Sequence, residues 1–263
     1  KKVRTATKLL RMCLIVFAYR AHPAYRLILA ANRDEFYARP TTPLAHWDNA
    51  PEVLAGHDLV GGGTWLGMTY DGKFAAVTNY RDSRGLGEKA LSRGLLVSDF
   101  LRGHNTPRTY MEVLQARADC YNGFNLLLGD TNGLYYFCNR ENVVRELSPG
   151  LYGLSNHQLD TPWPKILRAK SALRQLIDTG SIQSKDMFEF LADRHKPSDG
   201  ELPDTGIGID RERLLSPIFI SSQNYGTRSS TVLSISPDGR VSMTERETLS
   251  GDVKTYQWKL ASL

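Results

Sequence analysis

Cys13 is the residue of this sequence best suited to chemistry, because it follows Met12 directly and opens the first apolar run, MCLIVFAY. An initiator methionine is readily removed when the next residue is small, and Cys13 would then carry a free α-amine beside its thiol. The α-amine has an ordinary pKa of about 7.7–8.0 and the thiol one of about 8.5. One residue would therefore supply both a nucleophile and a base near neutral pH. The alternative is a buried cysteine in a β-strand, and Cys13 alone does not decide between the two.

Two charged residues, Arg33 and Asp34, end the apolar run that we expect to pair with the strand of Cys13. A nearby arginine lowers the pKa of a thiol and so favours the thiolate. A carboxylate can orient and stabilise an α-ammonium group. The alternative is a structural ion pair that closes the hairpin.

Polar side chains at three other predicted strand ends could complete such a site. Asn79 in VTNY and Asn156 in GLSN carry amides of the kind that donate to an oxyanion. Asparagine is also a common turn residue, which is the alternative for both. Arg228 precedes the apolar stretch SSTVLSI, where the alternative is an arginine at a surface or a sheet edge.

Other familiar kinds of site are not indicated. The six histidines are scattered, no HExxH pattern occurs, and Cys13, Cys120 and Cys138 form no C-x-x-C pair. Neither a zinc site nor a disulfide framework is therefore predicted, and sparse cysteines are typical of a reducing compartment. The glycine-rich stretch GGGTWLG is followed by an expected strand rather than a helix, which argues against a phosphate-binding loop.

The net charge of +5 does not indicate nucleic-acid binding, because residues 1–11 hold five basic residues and no acidic one. The rest of the chain is balanced. We interpret residues 1–11 as a leader or an appended segment and residues 12–263 as a single domain. The first apolar run ends at Arg20 without a small-residue cleavage site, which argues against a signal peptide. No apolar run reaches the length of a transmembrane helix, so we expect no membrane span. Because the sparse cysteines favour a reducing compartment, we expect a cytoplasmic protein.

Hairpins dominate the first third of the chain. CLIVFAY and YRLILAAN predict two strands joined by a turn at RAHPA, whereas residues 36–63 are expected to be loop-like because of their prolines and glycines. TWLGMTY and KFAAVTNY flank Asp71-Gly72, a two-residue turn signal, and predict a second hairpin.

Helices are expected next, over residues 88–119, with the second of them starting at Thr106-Pro107. The remaining predictions are four strands over residues 124–156, a long helix from about Trp163, a shorter one over about 184–194, a polar loop over 195–206, and three or four final strands in PIFISS, STVLSIS, RVSMTER and KTYQWKL. This order favours an α+β domain with largely antiparallel sheets covered by helices.

Several of these stretches occur together, in the same order, in one known family. MCLIVFAY, AANRDEFYARP, GGGTWLG, VTNYRD, GLSN with LDTPWPK, and YGTRSSTV closely resemble the NRDE family, also called the transport and Golgi organisation family. The resemblance runs from Met12 to the last strands, and the ordered set is far more specific than the tetrapeptide NRDE. Residues 1–11 have no counterpart in the pattern.

The resemblance implies an N-terminal-nucleophile hydrolase fold, in which two stacked, mostly antiparallel sheets lie between helices in the order αββα. It also implies similarity to the cysteine branch of these enzymes, which includes bile salt hydrolases and penicillin V acylases. The site roles of that branch would fall here to Cys13, Arg33, Asp34, Asn79, Asn156 and Arg228. Arg33 and Asp34 are adjacent here, whereas a short gap separates their counterparts, so Glu35 is an alternative to Asp34.

Two functions are compatible with the residues and the resemblance. The first is an amidohydrolase that acts on a non-peptide C–N bond of a small molecule, with Cys13 as nucleophile and no metal or cofactor. The second is a binding or trafficking protein on the same fold, since members of the family are associated with haem trafficking and lipid homeostasis. Haem would need a ligand such as Cys13 or a histidine, and the sequence selects none.

Overall fold

Strands account for most of the regular secondary structure in a computed structural model that describes residues 12–81, 91–180 and 182–261. The predicted leader, residues 1–11, lies outside the described residues. In chain order the described strands are β1 Met12–His22, β2 Tyr25–Phe36, β3 Thr41–Trp47, β4 Ala50–Asp58, β5 Leu66–Thr69, β6 Phe74–Asn79, β7 Phe124–Gly129, β8 Leu134–Cys138, β9 Val143–Glu146, β10 Gly150–Leu154, β11 Tyr225–Ile235, β12 Arg240–Glu247 and β13 Val253–Lys259.

The strands form two antiparallel sheets. The first has the order β10-β1-β2-β11-β12-β13, and the second has the order β3-β4-β5-β6-β7-β8-β9. In the first sheet, β1 and β2 form a long inner hairpin, and Cys13 pairs with Arg33 near its open end. The second sheet is a meander, because each strand pairs with the next one along the chain.

The helices of the described part of the chain are α1 Gly94–Arg102, α2 Pro107–Gln115, α3 Pro164–Thr179, α4 Ser184–Leu191 and α5 Ile209–Leu215, with short 3₁₀ turns at Ala118–Cys120 and Asp199–Glu201. Helix α2 begins as predicted, because the Thr106 hydroxyl oxygen accepts the N–H of Thr109 at 3.2 Å and Pro107 is the first helical residue. None of these helices is both long and apolar enough to cross a lipid bilayer.

Three apolar cores stack these elements into layers. Phe17 of β1 and Tyr136 of β8 lie in the core between the two sheets. Phe100 of α1 packs on the other face of the second sheet, and Leu173 of α3 and Leu191 of α4 pack on the other face of the first. Each sheet serves two cores because side chains alternate between the faces of a strand. The layer order is αββα, and the predicted α+β fold class is confirmed.

The prediction of a loop over residues 36–63 is wrong, because β3 and β4 lie within that range. β3 is the edge strand of its sheet, and Pro43 falls in a register shift between Thr42 and Ala45. Proline is tolerated at a sheet edge or a bulge, where it does not remove a ladder hydrogen bond. The prolines that suggested a loop belong instead to an irregular edge hairpin.

The C-terminal third differs from the prediction in one helix and one strand. Helix α5 was not predicted, and the stretch PIFISS, residues 217–222, is not a strand. The N–H of Ile220 donates to the Thr227 hydroxyl at 3.0 Å, and only Ser221 forms a β-bridge, with Gly226. A side chain thus satisfies a backbone group that a neighbouring strand would otherwise pair, and β11, β12 and β13 close the chain.

Candidate active site

A cavity of about 310 Å³ opens where the first residues of β1 meet β2, the end of β6 and the start of β11. Five of the six predicted site residues line it, namely Cys13, Arg33, Asp34, Asn79 and Arg228. The sixth, Asn156, is fully buried and does not line the cavity. The structure therefore brings together residues from four separate strands.

The pairing of β1 with β2 sets the position of the central residues. Cys13 lies opposite Arg33, and Met12 lies opposite Asp34. Because directly opposite residues of an antiparallel pair extend to the same face, Arg33 accompanies the thiol and Asp34 accompanies Met12. The hairpin thus places a cation beside the candidate nucleophile and a carboxylate beside the residue that precedes it.

Arg228 reaches the cavity from a β-bulge. Thr227 pairs with Asp34 and Ser229 pairs with Arg33, so Arg228 is the extra residue between them. Its guanidinium donates to the carbonyl of Phe36 at 3.4 Å and also to that of Arg39. Bulges are common beside active sites because they redirect a side chain without ending the sheet. Partial burial, together with the charge of Arg33, lowers the pKa of Arg228.

The thiol of Cys13 stays protonated at neutral pH while Met12 is attached. Burial and, to a smaller extent, the negative charge of Asp34 raise the pKa of Cys13 to about 12. The charge of Arg33 and a hydrogen bond from the backbone N–H of Asp34 to the sulfur act in the opposite direction but are weaker. Cys13 is 8% exposed, so the cavity reaches it. In this form the residue borders the cavity but is a poor nucleophile.

Asp34 has one satisfied and one unsatisfied carboxylate oxygen. Oδ1 accepts from the Thr227 hydroxyl at 2.6 Å, whereas Oδ2 has no hydrogen-bond partner among the described residues. Burial raises the pKa of Asp34, and Lys165, Thr227 and Arg33 oppose that rise. A buried oxygen without a donor is rare in native proteins and marks a place where a donor can bind.

Glu35, the alternative to Asp34, is already engaged. Its Oε1 accepts from the N–H of Phe36 at 2.9 Å, and its Oε2 lies 3.5 Å from Nε of Arg39. The unsatisfied oxygen of Asp34 therefore makes Asp34 the better candidate for holding an α-ammonium group.

Asn156 does not line the cavity but contacts a residue that does. Its side-chain amide donates to the carbonyl of Asn79 at 2.9 Å. The neighbouring Ser155 donates to the carbonyl of Cys13 at 2.9 Å, and the same hydroxyl lies 3.0 Å from Oδ1 of Asn156. Ser155 and Asn156, which follow β10, thus hold the backbone of Cys13 and Asn79 in place by hydrogen bonds. The oxyanion roles of Asn79 and Asn156 stay predictions.

A cluster of buried polar residues near Cys13 was not predicted from the sequence. The N–H of Met12 donates to the Tyr225 hydroxyl at 3.0 Å. Arg81 forms an ion pair with Glu212 at 2.6 Å, with side chains 3% and 4% exposed. Nζ of the buried Lys165 donates to the carbonyl of Leu215 at 3.1 Å.

The signals for this cluster were weak. Arg81 and Lys165 stand in the motifs VTNYRD and LDTPWPK, but nothing in the patterns indicates that either is buried. Burial and the charge of Arg81 lower the pKa of Lys165, whereas the charge of Asp34 acts to raise it. The charges of Lys165 and Asp34 therefore affect each other's pKa, although the two residues belong to a helix and a strand far apart in the chain.

The triple glycine shapes the cavity wall and, as predicted, leads into a strand, β5. Gly63 has φ = +70°, and a Cβ there would lie 2.3 Å from the carbonyl oxygen of Gly94 at the start of α1. Only glycine allows this backbone angle and approach without strain. The loop brings the start of α1 against the cavity. There the backbone N–H of Thr64 donates to the carbonyl of Gly94 at 3.2 Å.

Residues 12–250 match the family described as Transport and Golgi organisation 2. The chain belongs to this family. The Transport and Golgi organization protein 2 homolog of Bos taurus is 38% identical over 280 residues, which cover 95% of this chain and all of the relative. The Homo sapiens homolog is 36% identical over 277 residues, with the same coverage, and the Drosophila melanogaster protein is 27% identical over 275. The resemblance in the sequence motifs to the Transport and Golgi organisation family is confirmed.

Two solved structures are remotely similar to this family member. A mutant conjugated bile acid hydrolase from Clostridium perfringens has a TM-score of 0.49 at 10% identity, covering 94% of this chain and 97% of that one. The Caenorhabditis elegans ortholog of N-acylethanolamine-hydrolyzing acid amidase has a TM-score of 0.43 at 12% identity, covering 84% and 92%. Neither likeness bears on the chemistry of this chain.

Proposed function

We propose that this protein is an amidohydrolase that cleaves a non-peptide C–N bond of a small molecule after Met12 has been removed. The observation that carries the proposal is the position of Asp34, whose unsatisfied Oδ2 belongs to the residue opposite Met12. Cys13, Arg33, Asn79 and Arg228 share the same cavity. Removal of Met12 would create an α-ammonium group beside a carboxylate that lacks a donor.

Freeing the α-amine also changes the thiol. An ammonium group on the same residue is a cation close to the sulfur, and together with Arg33 it lowers the pKa of the thiol. The two negative contributions from Asp34 and Glu35 that hold the pKa of Cys13 up are then offset. The neutral form of the α-amine takes the proton of the thiol, and the resulting ammonium, next to Asp34, stabilises the thiolate.

The reaction then proceeds in two balanced halves. The thiolate attacks the amide carbonyl, and a C–S bond forms while the carbonyl oxygen becomes an oxyanion. Asn79 lines the cavity, and its side-chain amide would donate to that oxyanion. Asn156 donates to the carbonyl of Asn79 and so helps to position it. The α-ammonium gives its proton to the leaving nitrogen, and the C–N bond breaks. Water then attacks the thioester with the α-amine as base, which releases the acid and restores the thiol.

Covalent labelling tests the proposal. Protein that begins at Cys13 is incubated with a p-nitrophenyl acyl ester, and the adduct is located by intact mass and peptide mapping. We expect one acyl group on Cys13, none after Cys13→Ala, and normal labelling after Cys120→Ala, since Cys120 is exposed and does not line the cavity. Unchanged labelling of the Cys13→Ala protein would remove Cys13 as the nucleophile.

A haem-related binding role is the second candidate, and one observation favours it. Of the six histidines, all in the described ranges, only His57 lines the cavity that Cys13 also lines. The cavity is thus lined by three side chains of types that ligate haem iron, namely Met12, Cys13 and His57. A Soret shift on haem titration that is lost after His57→Ala or Cys13→Ala, with no acyl adduct on Cys13, would favour binding over hydrolysis.

A further inference from the structure

Met12 occupies a socket of its own at the base of the cavity. Met12 is 1% exposed and belongs to a small apolar cluster with Leu215, Ile220 and Tyr225. Leu215 ends helix α5, Tyr225 is the first residue of β11, and Ile220 lies in the segment between them. This cluster is separate from the three cores that hold the layers together.

Polar groups at the base of the socket contact Met12. Nη2 of Arg81 donates to the sulfur of Met12 at 3.3 Å, and the Met12 N–H donates to the Tyr225 hydroxyl at 3.0 Å. Nε of Arg81 is buried and has no hydrogen-bond partner among the described residues. Loss of Met12 would leave Nη2 without its sulfur acceptor as well. Buried donors without acceptors are costly, so an emptied socket favours a ligand that supplies an acceptor.

The socket adjoins the reacting atoms. Met12 lines the same cavity as Cys13, so removal of Met12 extends the cavity into the socket. The carbonyl carbon of Met12 is bonded to the nitrogen that becomes the α-amine. In the proposed reaction this amine must return its proton to the leaving nitrogen, which requires the two nitrogens to come within hydrogen-bond reach. The leaving amine therefore lies next to the space that Met12 vacates.

We propose that the emptied Met12 socket is the subsite for the leaving amine of the substrate, and that it takes an unbranched amine whose chain ends in a neutral hydrogen-bond acceptor such as a thioether or an ether. This inference rests on the proposed amidohydrolase function. The chain is unbranched because the socket is shaped around the linear side chain of methionine.

The acceptor is neutral because the cation that donates to it already has a counter-charge. The guanidinium of Arg81, which donates to the Met12 sulfur, is paired with Glu212 at 2.6 Å. A carboxylate on the ligand would add an unbalanced buried charge, which is costly.

Acyl transfer to added amines tests the subsite. Protein that begins at Cys13 is acylated with the p-nitrophenyl ester, and the acyl group is released in the presence of 3-(methylthio)propylamine, butylamine, sec-butylamine or ethylamine. Mass spectrometry gives the ratio of amide to hydrolysis product for each amine. We expect the thioether amine to be preferred over ethylamine by about tenfold, with butylamine between them and sec-butylamine lowest.

Socket variants separate the subsite from the chemistry. Ile220→Trp, which fills the socket, should remove the preference among the amines, whereas Leu249→Trp, at an exposed position that does not line the cavity, should keep it. If the Ile220→Trp protein does not fold, Ile220→Ala enlarges the socket and should shift the preference to 5-(methylthio)pentylamine. Normal acylation with equal partition among all four amines overturns the subsite alone. Failure of acylation overturns the hydrolase proposal together with it.

Discussion

Met12 and Asp34 lie directly opposite each other in the β1–β2 pair, and the Asp34 oxygen Oδ2 has no donor among the described residues. A buried carboxylate in this condition is unfavourable while Met12 is present, because burial disfavours its charge. A freed α-amine on Cys13 would supply the missing donor. The same contact would serve the proposed chemistry, since it holds the base beside the thiol.

Asp34 should make stability depend on pH in the chain that retains Met12. Burial raises the pKa of Asp34 above its ordinary 3.8, so the folded state keeps a proton that the unfolded state loses. The free energy of unfolding should therefore fall as the pH rises from about 4 towards neutrality, by up to about 1.4 kcal/mol per pH unit. Urea unfolding across this range measures the slope.

Two variants check the origin of that slope. Asp34→Asn should flatten it, and protein that begins at Cys13 should show a smaller slope because the α-ammonium lowers the pKa of Asp34. An equally steep slope in the Asp34→Asn protein would assign it to another group.

The thiol of Cys13 should react slowly in the Met12-containing chain. With its pKa raised to about 12, the alkylation rate should rise about tenfold per pH unit from about pH 8 to about pH 10 without a plateau. Asp34→Asn should speed the reaction and Arg33→Gln should slow it, because their charges act on this pKa in opposite directions. Iodoacetamide labelling in a Cys120→Ser background measures the rate. A plateau near the ordinary thiol pKa would contradict the buried, protonated state of Cys13.

The Arg81–Glu212 pair should be important for stability. Both side chains are almost fully buried, and Glu212 also accepts from the N–H and the hydroxyl of Thr205 at 3.0 and 2.6 Å. Glu212→Gln leaves the buried guanidinium without its counter-charge and should cost about 3–5 kcal/mol of unfolding free energy.

A matched control is the next residue along α5. Arg213→Gln breaks an exposed pair with Asp199 and should change the stability little. Denaturant unfolding compares the two variants, and losses of similar size would contradict a special role for the buried pair.

Local signals predicted much of the fold. The turn at Asp71-Gly72 and the start of α2 at Pro107 were predicted, and Gly72 has the positive φ, +100°, that the turn requires. Such features depend on a few adjacent residues. The hairpin of β3 and β4 was missed, because proline at a sheet edge obeys different rules from proline in a central strand.

Only those site residues that lie at the ends of predicted strands could be predicted from the sequence. Cys13, Arg33 and Asp34 follow from one hairpin and from the resemblance of the motifs to a family. The contact of Met12 with Tyr225 spans 213 residues and that of Arg81 with Glu212 spans 131. Sequence periodicity carries no information about such distant pairs, so the buried cluster needed the structure.

The most direct test compares two forms of the same protein, one that begins at Met12 and one that begins at Cys13, in a single-turnover reaction with the p-nitrophenyl acyl ester. Intact mass gives the acylated fraction with time, and Asp34→Asn in the Cys13 form serves as a further arm. We expect rapid acylation of the Cys13 form, at least about 100-fold slower acylation of the Met12 form, and a large loss of the acylation rate in the Asp34→Asn protein. Equal acylation of the two forms would contradict the claim that Cys13 acts through its freed α-amine.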